Sequence, residues 1–214
     1  MPKKIPPEGV GNEGASMVTA AEQGRETRAR LMDAAVELIA DRGWGAVTTR
    51  LVADRAGLRP GLVHYHFASV HDLLIDASLR LTREVGAVML EKILQQPTTA
   101  GVDQLLATIA TYTGDDMDTR VFSEMFLAAT RHERLQEGLA ALLREFRTAV
   151  TAWLHADGAV TDAEATAAVL LAAFDGLILH RLIDPGVGEL GVDGPLCRLT
   201  GISETAGAED NRHG

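Results

Sequence analysis

The sequence predicts an all-α protein of about nine helices: an N-terminal three-helix helix-turn-helix domain, joined by one long helix to a larger helical C-terminal domain. Three observations carry this reading. Apolar residues recur at spacings of three and four along most of the 214 residues. Aromatic residues make up only 4% of the chain against 46% hydrophobic residues, with Ala and Leu abundant, a composition suited to close helix packing. Helix breakers stand between the apolar stripes, at Gly43, Gly57, Pro60, Gly158 and Pro185.

Taken in order, residues 1–22 are rich in Pro, Gly and Glu and read as a disordered arm. Leu31, Ala34, Ala35, Leu38 and Ile39 mark the buried stripe of a first helix over 23–42. Arg25, Arg28 and Arg30 crowd its first turns, where cations oppose the helix dipole. They either face a phosphate, with Arg28 the leading candidate, or pair with Glu22, Glu26 and Asp33. Gly43 ends the helix and Trp44 is expected to pack beneath it.

Residues 48–67 form two short helices with a tight turn. Thr48 and Thr49 are N-cap candidates followed by Arg50. Gly57 stands where a helix ending favours a left-handed residue, and Pro60 suits the first turn of the next helix. A hairpin this tight crosses steeply, so one helix can lie on a DNA backbone while the other enters the major groove. The second helix carries Arg59, Pro60, Gly61, His64, Tyr65 and His66 and no acidic residue. A purely structural hairpin is the alternative for this stretch taken alone.

The run VADRAGLRPGLVHYHF, preceded by TTR and followed by HDLL, resembles the DNA-binding domain of the tetracycline-repressor (TetR) family of bacterial regulators. The positions carrying the likeness include Thr48, Arg50, Val52, Ala53, Ala56, Gly57, Gly61, Val63, Tyr65, His66, Phe67, Ser69, Asp72 and Leu73. Arg59 departs from the common Ser, His64 stands where an aromatic is common, and Ala68 and Val70 stand where basic residues are common. The resemblance is specific over residues 25–81. It implies that Arg28, Thr48, Thr49, Arg50, Arg59, Pro60, Gly61, His64, Tyr65 and His66 form the DNA-contacting surface, so the DNA-binding domain is set at 23–69.

Ser69 caps a long helix over 70–94, with Leu73, Leu74, Ala77, Leu81, Val85, Val88 and Met89 on its apolar side. The 96–101 stretch reads as a loop. Helices are expected over 102–113, 117–132 and 133–155, and Thr161 and Glu164 have the spacing of a capping box before an eighth helix. That helix is apolar on nearly all sides, which marks a buried element or a subunit interface. The resembled family pairs its last two long helices in a dimer, so Leu170, Phe174, Leu177, Ile178 and Arg181 are taken as interface residues. A short helix is expected near 195–199, followed by a polar tail over 204–214.

Tyr112, Phe122, Met125, Phe126, Phe146 and Trp153 concentrate bulky side chains in 70–203, the expected ligand-binding and dimerisation domain. They are either plain core or the lining of an effector cavity, and the family likeness points to the latter. Few charges fall among them, so the expected effector is small and mostly apolar. His155 and Asp175, together with His132 and His180, are possible polar handles.

Net charge is −10, unevenly placed: residues 1–83 hold 11 basic and 10 acidic residues, while 84–214 hold 9 and 20. A near-neutral DNA reader argues against tight non-specific binding. Cys197 is the only cysteine, which excludes an intrachain disulfide and a multi-thiolate zinc site and fits a cytoplasmic protein. No apolar run is expected to reach the roughly 20 residues of a membrane span. Gly-rich phosphate loops, a G-x-S-x-G elbow and an H-E-x-x-H pair are absent, so no enzyme, cofactor or metal is expected. The expected function is a ligand-responsive regulator, by the family likeness a repressor, which binds a palindromic DNA operator as a homodimer and is released by that effector. The alternative is a helical interaction module whose DNA grip is lost or weakened at Ala68 and Val70.

Overall fold

A computed structural model describes residues 13–111, 116–156 and 160–200. Among them are nine α-helices and no strand: α1 (Glu13–Arg42), α2 (Thr49–Ala56), α3 (Pro60–His66), α4 (Val70–Leu94), α5 (Thr98–Thr111), α6 (Met117–Ala129), α7 (Glu133–Ala156), α8 (Ala163–Ile183) and α9 (Asp193–Thr200). Single 3₁₀ turns lie at Trp44–Ala46 and Pro185–Glu189.

Two apolar clusters divide the molecule. The first joins α1, α2, α3 and the start of α4 to α6 and the start of α7, around Leu31, Ile39, Val52, Val63, Leu73 and Met125, all fully buried. Trp44 is buried there. The second joins the end of α4 to α5, α7, α8 and α9, around Val102, Leu142, Leu154, Ala167 and Leu170. The long α4 contributes to both clusters and is the shared beam of the molecule.

Four element boundaries differ from the sequence reading. α1 begins at Glu13, not at 23, because the Ala- and Glu-rich residues before Gln23 continue the helix without needing a core; residues 19–23 are exposed. α5 begins at Thr98 instead of 102: the Gly101 N–H donates to the Pro97 carbonyl at 2.9 Å, so Pro97 opens a helix where a loop was expected. α6 stops at Ala129, short of 132. The cap of α8 is Asp162, whose carboxylate accepts from the Ala165 N–H at 3.3 Å, in place of the expected Thr161 capping box.

α8 also corrects the expectation about membrane spans. It has 21 residues and a mean hydropathy of 1.7, long and apolar enough by composition to cross a bilayer. Only 28% of its apolar window is buried within the chain, so much of its apolar surface faces outward. Cys197 lies in α9, where a short helix was expected, and is 3% exposed within the second cluster.

Candidate DNA-binding surface and effector cavity

The helix-turn-helix is built by local chemistry. The Thr48 hydroxyl accepts from the Leu51 N–H and caps α2. Gly57 ends α2 at φ 65°, ψ 35°, a left-handed conformation open to Gly at no steric cost, and its N–H returns to the Ala53 and Asp54 carbonyls. Arg59 then takes the N-cap position of α3 in an extended conformation without a side-chain cap, leaving its guanidinium free, and Pro60 starts the helix. Val63 is fully buried and fixes α3 to the core, while Arg59, Pro60, Gly61 and His64 are exposed and Tyr65 is 80% exposed. His66 is half-buried, its ring edge-on to Tyr65.

Arg50 projects from the first turn of α2 and meets only Asp54, at 3.8 Å with both side chains largely exposed. Such a contact is weak and leaves Arg50 available to a phosphate. Thr48 is exposed and Thr49 half-buried beside it.

Arg28 does not join this surface. Its Nη1 donates to the His66 carbonyl at 3.0 Å, its Nη2 to Asp76 at 2.5 Å, and its guanidinium lies 4.2 Å above the Phe67 ring. Three partners make it a clamp between α1, the end of α3 and α4. Sequence reasoning missed this because Asp76 lies far along the chain. Arg30 likewise donates to the Ala56 carbonyl at 2.7 Å, satisfying the end of α2. Asp33 pairs with Arg80 of α4. Ala68 is exposed and Val70 packs on the first cluster, so neither offers a cation.

The second site is a cavity between α4, α6, α7 and α8. About 80 Å³ lies clear of its walls within some 690 Å³ of atom-free space that includes the open mouth. Gly86 of α4 shapes it, since a Cβ there would lie 2.3 Å from the Phe146 ring; the missing side chain lets that ring rest on the α4 backbone. Of the expected ligand residues, Phe122, Phe146 and Asp175 line it. Met125 is fully buried in the first cluster, and Phe126 packs against that cluster beside Phe122, with ring centroids 4.5 Å apart. Trp153 lies away from the cavity, over Gly101, and donates to the Gln96 carbonyl at 2.9 Å. His155 is exposed, and Tyr112 lies outside the described residues.

Two expected interface residues line the same cavity: Phe174 and Ile178. Leu170 is 1% exposed in the second cluster, and Leu177 packs partly against it. Arg181 lies against Gly188 in the 3₁₀ turn after α8. Ala165, Val169, Ala172 and Ile183 of α8 are exposed instead, Ile183 to 88%, and the half-buried Gly176 and Leu179 fall in the same stripe.

Two cross-links tie the cavity walls to the helix-turn-helix. Arg134, in the first turn of α7, donates to Asp72 at 2.9 Å and to Asp76 at 2.6 Å, the same Asp76 that Arg28 holds. Glu124 of α6 accepts from the Trp44 N–H at 2.7 Å, bracing the turn that leads into α2.

An exposed recognition helix on one end of α4 and a mostly apolar cavity on the other define the class: a helix-turn-helix DNA-binding protein with a larger helical C-terminal domain. Residues 31–77 match the family of bacterial regulatory proteins described as tetR family, and residues 96–200 match the tetracyclin repressor-like C-terminal domain. The chain belongs to the TetR family, and it is a DNA-binding transcriptional regulator. It is similar to the HTH-type transcriptional regulator BetI of Rhizobium meliloti, 29% identical over 160 residues, which cover 72% of this chain and 77% of that protein. An uncharacterized HTH-type transcriptional regulator of Mycobacterium tuberculosis is 24% identical over 172 residues, 78% of this chain and 88% of that one. Among solved structures, a TetR-family member from Streptomyces coelicolor superposes with a TM-score of 0.66 at 28% identity, covering 81% of this chain and 98% of that one. The multidrug binding protein EbrR, crystallised with malachite green, superposes with a TM-score of 0.62 at 27% identity, covering 80% and 96%.

Proposed function

We propose that the protein is a repressor that binds a palindromic operator as a homodimer in the cytoplasm and is released when a small, mostly apolar effector fills the cavity between α4, α6, α7 and α8. The observation that carries this reading is the double role of α4. Its first half packs the recognition helix through Leu73, Leu74 and Ala77, and its second half lines the cavity through Thr82, Val85, Gly86 and Met89. An effector that displaces the second half tilts the first.

The two cross-links extend that lever. Displacing α7 pulls Arg134 against Asp72 and Asp76, and displacing α6 pulls Glu124 against the Trp44 turn. In a dimer joined along the outward stripe of α8, small rotations of α4 change the separation of the two recognition helices, which must stay near about 34–36 Å to occupy successive major grooves. The malachite green complex of EbrR supports a ligand-holding role for the corresponding domain.

The DNA-reading surface is tested by Tyr65→Ala and Arg59→Ala. Both side chains are exposed and remote from the core, so unfolding temperature is expected to stay unchanged while operator affinity falls by about ten-fold or more in each. Wild-type affinity in both variants would remove α3 from the interface.

A further inference from the structure

The polar groups of the cavity are not equivalent. The Thr119 hydroxyl donates to Asp116, which also caps α6, and the Thr82 hydroxyl donates to the Ser78 carbonyl. Asp175 is different. It stands mid-way along α8 among Phe174, Leu171 and Ile178, and among the described residues no hydrogen bond or ion pair reaches its carboxyl group. Burial alone raises its pKa to about 7. Asp118, across the cavity on α6, is also raised, first by burial and then by the charge of Asp116. The described residues that line the cavity from α4 and α7 bring no charge, and none from α5 lines it. The cavity is thus an apolar chamber with two acidic groups and no cation.

Building on the effector-cavity reading above, we propose that the effector is an organic cation on an apolar frame, with Asp175 its counter-ion and Asp118 a second acidic wall. A neutral apolar guest would bury the unpaired carboxyl further at a desolvation cost, whereas a cation turns that cost into an ion pair in a low-dielectric site. A poorly hydrated ammonium, its charge spread over methyl groups, fits both the apolar walls and the lone carboxylate. The acidic excess of residues 84–214 draws cations toward the domain.

The test uses the full chain and two probes of one shape: phenylbutyl-trimethylammonium, and the uncharged hydrocarbon with a tert-butyl group in place of the trimethylammonium. Binding is measured by calorimetry at about pH 8 and about pH 6, which straddle the Asp175 transition. The cation is expected to bind about ten-fold or more tighter than its isostere at the higher pH, and to lose much of that margin at the lower pH as Asp175 takes up a proton. Asp175→Asn should bring the two probes within about two-fold while keeping the affinity for the isostere; Asp118→Asn should remove a smaller part of the margin. Equal affinities in the wild type, or a margin that survives Asp175→Asn, would overturn the proposal and leave the effector cavity standing. Binding of neither probe would overturn both.

Discussion

Ala172→Glu is expected to yield a folded monomer that no longer binds the operator. Ala165, Val169, Ala172, Gly176, Leu179 and Ile183 of α8 alternate by four and three positions, the repeat of a helix seam that meets a partner helix, and all but the half-buried Gly176 and Leu179 are exposed. Three of the six are Ala or Gly, and nothing lies within 4 Å of where a Gly176 Cβ would be. Small side chains let two α8 copies approach closely across a two-fold axis. A glutamate at Ala172 would be buried unpaired on both sides of that axis, at a cost of several kcal/mol per dimer. The single chain tolerates it, because Ala172 is exposed there. Sedimentation should report the mass of one chain with little change in unfolding temperature, and operator binding should collapse because a monomer presents only one recognition helix. An intact dimer would contradict this seam. Leu177→Glu is the poorer probe: Leu177 packs partly against the second cluster, so the charge would disturb the fold as well.

Asp175→Asn is expected to stabilise the protein, with a benefit that depends on pH. The folded-state pKa is about 7 against an ordinary 3.8, and the cause is burial. Between those values the folded chain holds a proton that the unfolded chain releases, so stability falls as pH rises through that window. Above it, the folded chain carries the full penalty of an unpaired carboxylate; below it, both states are protonated and the penalty vanishes. Removing the charge should therefore raise stability by on the order of a few kcal/mol at about pH 8, several degrees in unfolding temperature for a chain of this size. The gain should shrink to near zero at about pH 4. Equal unfolding curves of the two proteins at both pH values would show that Asp175 is solvated or paired. Sites that bind ligands often carry such destabilising groups, and the cavity fits that pattern.

The helix-turn-helix was legible because its determinants are local. Gly57 needs positive φ, Pro60 sets a first turn, Thr48 caps within three residues, and Val63 anchors α3 by simple periodicity. The facing of α8 was not legible. Its apolar residues surround the helix, so 3.6-residue periodicity carries no phase, and Phe174 and Ile178 looked as suited to a partner chain as Leu179 and Ile183. What separates them is the position of α7 and α4, which put Phe174 and Ile178 over the cavity. Arg28 shows the same limit for charge: a cation early in α1 suggests a phosphate until Asp76 and the Phe67 ring close around it. Phe126 and Met125 were grouped with Phe122 because spacing puts the three on one face; all three pack in or against the first cluster, and Phe122 alone of them also lines the cavity. Asp175 was only one of four possible polar handles in the sequence; what distinguishes it is its place in the cavity wall among Leu171, Phe174 and Ile178.

The central claim, an exposed helix-turn-helix that grips a specific DNA duplex, is tested most directly by salt-titrated fluorescence anisotropy of a labelled fragment of the gene's own upstream DNA, with wild type and Arg50→Ala side by side. Each phosphate contact contributes about −0.9 to the slope of log affinity against log salt. The account predicts a linear fall for the wild type, a slope flatter by about one unit for Arg50→Ala, and binding to a scrambled fragment weaker by about a thousand-fold or more. Equal affinity for the two fragments together with an unchanged slope in Arg50→Ala would contradict it and favour a helical interaction module that has lost its grip on DNA.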